Sequence, residues 1–147
     1  LPTVSGPVSG TSLTAPLSAV ECVWFKVRVD SWQAHKDLHH RDTVYFSRSA
    51  EPFFIGDVPV SPSLAEGTVS VTETFTGKRP PSAEETPLLH LLASRGLIDP
   101  KALHRRAHLL DEIVWETTEY VLTPGTALTV RGRRSRSGLL KPSLFAR

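Results

Sequence analysis

The chain has 147 residues, with 17 Lys and Arg against 15 Asp and Glu, 39% apolar residues, one cysteine and no methionine. That composition excludes a disordered tail, and no apolar run reaches the roughly 18 residues a membrane helix needs. A single cysteine excludes an internal disulfide and any zinc module built from cysteines. The missing methionine leads one to expect a processed chain or one excised from a longer protein. The opening LPTVSGPVSG lacks the charged start and apolar centre of a signal peptide.

In chain order, residues 3–8 form a first strand candidate, punctuated by Gly6, Pro7 and Gly10. The stretch 20–30 predicts a strand, because its alternate positions build two distinct faces. One face carries Val23, Phe25, Val27 and Val29; the other carries Val20, Cys22 and Trp24 before turning to Lys26 and Arg28. Cys22 therefore lies among apolar neighbours, where a thiol behaves as a small hydrophobe rather than a nucleophile. SWQAHKDLHHRD (31–42) is polar and predicts a loop or hairpin connection. Short β candidates follow at 43–49 and 53–57, after which Pro59 and Pro62 predict a turn. Residues 68–75 alternate cleanly, with Val69, Val71 and Phe75 on one face.

The period then changes. In TPLLHLLASRG, Thr86 predicts an N-cap, Pro87 suits the first helical position and Gly96 predicts closure. Leu88, Leu91 and Leu92 are expected to share the buried face. Asp99 and Pro100 repeat the start signal for a second helix, with Leu103, Ala107 and Leu110 as its stripe. A long strand at 113–122, a TPG turn and a hairpin partner at 127–133 resume the β pattern, and a last short strand is expected within 139–145. Strands, then two helices near 82–110, then strands predict one mainly β (α+β) domain over 1–147. Its form is a small β barrel or sandwich, an OB-like barrel among the options, with a two-helix insertion.

APLSAVECVWFKVRV, PFFIGD and ETTEYVLTPGTALTVRGR occur in an order that resembles the GIDE family, whose module is also called the beside-a-membrane (BAM) domain. Pro16, Leu17 and Ser18 match the family's opening turn, with Ala19 in place of its glycine. Cys22, Trp24 and Phe25 match its strand. Phe53, Phe54 and Asp57 match a Phe-Phe-x-x-Asp element, and Glu119, Pro124, Gly125, Val130 and Gly132 match its closing hairpin. These are core and turn signatures, and none is catalytic. The resemblance implies a domain set between two transmembrane helices of a bacterial GIDE-like protein, held at a membrane on its extracytoplasmic side. It implies a non-catalytic sensing or protein-binding role toward a protein or peptide partner. The alternative is the substrate-recognition or regulatory domain of a mulan-type E3 ubiquitin ligase. Its RING would lie elsewhere, since one cysteine cannot supply eight zinc ligands. Cys22, Trp24, Phe25, Phe53, Phe54 and Trp115 are expected to hold the barrel.

No catalytic residue and no cofactor is predicted. Gly-x-Ser-x-Gly and the phosphate-cradling P-loop are both absent, and the adjacent Glu84 and Glu85 suit a helix start better than an acid–base pair. His104 and His108 are four apart, and His35 and His39 lie in a polar connection. These are weak metal candidates without the H-E-x-x-H arrangement. Arg131, Arg133, Arg134 and Arg136 form the strongest electrostatic feature. They are weighed first as a solvated hairpin end and second as a contact for lipid headgroups or a partner. Nucleic acid ranks third, because no aromatic residues interleave with the basic ones.

Overall fold

A computed structural model describes residues 2–33, 42–63, 68–77, 79–101 and 112–143; the side chains of Gln33 and of 68–70 are left aside. The chain is mainly β and divides into two compact units, each built from segments distant in sequence. The first comprises Leu1–Lys26, Arg48–Ser70 and Tyr120–Arg147; the second comprises Val27–Ser47 and Val71–Glu119.

The first unit holds a closed five-stranded barrel of β1 (Thr3–Ser9), β6 (Phe53–Ile55), β7 (Val58–Val60), β10 (Ala127–Arg134) and β11 (Leu140–Pro142). Round the barrel the order is β1-β10-β11-β7-β6, closing on β1; β11 and β7 are parallel and the other pairs antiparallel. This is the order of an OB-type Greek-key barrel. Its interior is Val8, Val23, Trp24, Phe53, Ile55, Val60, Leu122, Val130 and Leu140, all buried. Trp24 also satisfies its indole, whose Nε1 donates to the Pro62 carbonyl at 2.8 Å. A separate small hairpin, β2 (Leu13–Thr14) with β3 (Glu21–Cys22), buries Cys22 against Ala15 and Val121. The thiol belongs to a packed apolar cluster with no solvent exposure.

The period-2 pattern is kept where the barrel needs it. Phe53 and Ile55 point inward, and Phe54 between them is 38% exposed. The prediction that Phe54 holds the barrel is therefore corrected by simple strand alternation. Trp115 is fully buried but belongs to the second unit. Pro59 does not make a turn; it lies inside β7 opposite Phe54. The turn is Gly56-Asp57, with Gly56 at φ +62 as the first central residue of a two-residue hairpin requires. Ile55 and Val58 then form the hydrogen-bonded pair, so Phe54 and Pro59 form a non-bonded one, and the missing proline N–H costs the β6–β7 ladder nothing.

The second unit carries most of a four-stranded sheet, ordered β5 (Asp42–Arg48), β4 (Trp24–Gln33), β9 (Ile113–Leu122) and β8 (Thr68–Gly77), with helix α1 (Pro87–Ser94). The strand expected over 20–30 is broken at Val23 and runs on to Gln33, into the segment expected to be a loop. Polar residues are tolerated there because they are partnered. Buried Asp30 takes an ion pair from Arg28 at 2.8 Å and a hydrogen bond from the Thr43 hydroxyl at 3.0 Å. Residues 127–133 are not the hairpin partner of 113–122: β9 pairs within the four-stranded sheet, while β10 pairs with β1 and β11. After the TPG turn, Gly125 donates to the Val8 carbonyl and Val8 donates to Thr126, so β1 captures the returning chain.

Helix α1 starts at Pro87 as predicted, but the Thr86 side chain does not cap it. The cap comes from β8, where the Glu73 carboxylate accepts the Leu89 amide at 2.9 Å. Its end is a Schellman closure, with Leu97 donating to Leu92 and Gly96, at φ +71, donating to Ala93. The buried face is Leu89 and Leu92, with Leu88 and Leu91 only partly covered. Glu85 is not paired with Glu84; Arg79 holds it at 2.6 Å and keeps its carboxyl below the ordinary range. The second predicted helix, over 99–110, falls largely outside the described residues.

Candidate functional site: a basic face on the barrel

Along β10, Val130 and Gly132 are buried, while Arg131 and Arg133 alternate with them and are exposed. Gly132 is a close-approach position. A Cβ there would fall onto the Lys141 carbonyl, so only glycine lets β11 pair at this register. That register sets Arg133 directly opposite Lys141 and Arg134 opposite Leu140. Arg136 lies in the connecting loop, closed by Ser135 donating to Leu139 and Gly138 donating to Ser135.

Like charges directly opposite on one face destabilise a strand pair. Arg133 and Lys141 are both exposed, and neither is in an ion pair among the described residues. The arrangement is rigid where it counts: Gly132 accepts no substituent, the Ser143 amide donates to the Arg131 carbonyl at 3.0 Å, and the Gly132 amide donates to Pro2 at 3.1 Å. Positive charge is thus presented outward by a fixed backbone, with its attraction unspent inside the molecule. The first unit as a whole carries eight Lys and Arg against four Asp and Glu, a net +4.

Arg131 and Arg133 share the outward face of β10, Arg134 falls on the opposite face at the strand's exposed end, and Arg136 lies in the loop that follows. Lys141 was not singled out in sequence because its membership depends on the hairpin register. The available signal was the SRSG turn, which sets 133 and 141 as near-equidistant from its centre. His35, His39, His104 and His108 lie outside the described residues. Among the described residues no cluster of three or more His, Cys, Asp or Glu could hold a metal.

Comparison with known proteins adds no relative: no family model, no curated protein and no solved structure matches the chain.

Proposed function

We propose that the chain is a non-catalytic binding module, the extramembrane part of a GIDE-like membrane protein, and that it recognises an anionic partner through the basic face of its barrel. One observation carries this: Arg133 stands opposite Lys141 on a glycine-pinned register, with Arg131 on the same strand face and Arg134 and Arg136 at its end, and no acid paired to them among the described residues. A fold that needed these charges only for solubility has no reason to align two of them across one strand pair.

The opening turn supports the family part of the reading. Ala19 has φ +60, a left-handed conformation that non-glycine residues seldom adopt, and it stands where the resembled pattern has glycine. Of the other matched residues, Cys22, Trp24, Phe53, Glu119 and Val130 are buried, as core signatures should be, whereas Phe54, Asp57, Pro124 and Gly125 are exposed.

The test is a salt gradient on immobilised heparin, a polyanion probe. The wild-type chain is expected to elute at distinctly higher salt than a variant with Arg131, Arg133, Arg134 and Arg136 replaced by Ser. Co-elution of the two at low salt would overturn the reading. Membrane tethering is tested on the full reading frame, which should encode an apolar span flanking this segment.

A further inference from the structure

We infer that the outer face of the barrel docks onto an anionic bilayer, with Phe54 and Leu139 entering the interface beside Arg133, Lys141 and Arg136. This rests on the binding-module reading above and names its partner.

Strand register aligns these side chains. Phe54 pairs with Pro59, and Leu140 pairs with Val60 in parallel, so Leu139 falls beside Pro59. Phe54, Pro59 and Leu139 therefore form a row running across β6, β7 and the start of β11. The interior of the barrel lies under the next row, Phe53, Val60 and Leu140, all fully buried. Two positions on, about 7 Å further along the strands, the outward row is Ser61, Lys141 and Arg133. On the other side of the apolar row sits the loop with Arg136, tied at Ser135 to Leu139. An apolar strip thus runs between Arg133 and Lys141 on one side and the Arg136 loop on the other, where Asp57 of the β6–β7 turn is the one acid beside it among the described residues, all on one unit and mostly on paired strands.

The order of side chains selects the occupant. An apolar strip bordered by three cations and one acid matches a phosphate-bearing surface with hydrocarbon just beneath it. Basic residues near an anionic leaflet contribute about 1 kcal/mol each, and an interfacial segment adds the burial of its apolar residues. A single nucleic-acid strand would also find cations here, and the face of strands 2 and 3 with the loop between strands 4 and 5 is where OB barrels take such ligands. That ligand needs successive rings to stack on. The strip offers one ring, Phe54, followed by Pro59 and Leu139. The observations favour the bilayer.

Co-sedimentation with phosphatidylcholine vesicles, with and without phosphatidylserine, tests this on the 147-residue chain. Binding is expected only with phosphatidylserine and should fall as salt rises. Phe54→Ser should weaken it about tenfold, a loss comparable to withdrawing one partly buried ring. Its melting temperature should stay close to wild type, because Phe54 is outside the core. Phe54→Trp supplies a direct reading: its emission should shift to the blue on vesicle addition and be quenched by brominated acyl chains. Bound protein with an unshifted Phe54→Trp spectrum would overturn the insertion. Binding to heparin but not to vesicles would overturn the inference and leave the binding-module reading standing. Tight binding of an oligothymidylate with no vesicle binding would assign the face to nucleic acid instead. Failure to bind heparin, vesicles and oligothymidylate alike would remove both.

Discussion

The barrel unit buries almost nothing but hydrocarbon, whereas the sheet-and-helix unit buries acids and hydroxyls. Ser49 is the one buried polar residue among the described residues of the first unit. Asp30, Ser31, Thr86, Thr117, Thr118 and Glu119 are all in the second. Charge divides the same way: the first unit has eight basic residues against four acidic, the second nine against eleven. In the barrel, Arg131, Arg133 and Lys141 are exposed and in no ion pair among the described residues; in the other unit Asp30 is drawn in and paired with Arg28. A face of exposed cations and a core that buries acids and hydroxyls thus belong to different units of one chain.

The largest expected effect breaks the apolar side of this contrast. Phe53→Ala removes a fully buried ring from the barrel interior and should cost about 3–5 kcal/mol in urea unfolding. A loss below about 1 kcal/mol would mean that the barrel core is not close-packed. The matching change in the second unit is Arg28→Ala. Asp30 would keep the Thr43 hydroxyl but lose the guanidinium at 2.8 Å, with its side chain only 4% exposed. Arg28 is itself 44% exposed, so solvent screens part of the loss and about 1–2 kcal/mol is expected. Replacing Asp30 by Asn in the Arg28→Ala background should recover some of it, because the buried group then carries no charge to desolvate.

Glu73 sharpens the comparison through pH. Burial raises its carboxyl above the ordinary value of 4.5, outweighing the lowering by the Leu89 and Leu88 amides and by His90. A raised folded value means the proton is held more tightly folded than unfolded. Its contribution to stability is complete below about pH 4.5 and is lost as the pH rises through the raised value. Glu73→Gln keeps an oxygen for the Leu89 amide and cannot titrate. Its melting temperature should therefore match or exceed wild type at pH 7, and should fall less between pH 4.5 and neutrality. Parallel pH profiles for the two proteins would remove Glu73 from that dependence.

The smallest effect is expected at the opening turn. Ala19→Gly relieves a left-handed alanine worth roughly 1–2 kcal/mol, less the greater unfolded-state freedom of glycine. A net gain of about 0.5–1 kcal/mol is expected by thermal unfolding. A loss would show that the turn, and with it the slot where the resembled family carries glycine, is not strained.

The sequence by itself determined the elements whose signal is local. The long strand at 113–122 was legible to the residue, as were Pro87 at the helix start and Gly96 at its end. The burial of Cys22 and Trp24 followed from the apolar residues around them in the strand, and the four arginines from simple proximity in the chain. What could not be read locally was partnership. Only the tertiary structure decided that Glu73, 16 residues away, caps α1 in place of the adjacent Thr86. It also decided that Pro59 sits in a non-bonded strand position, that β10 leaves β9 for β1, and that Lys141 joins the arginines. Capping, ladder and cross-strand contacts are all set by which backbone lies about 5 Å away, and that distance is closed by the fold and not by the order of residues.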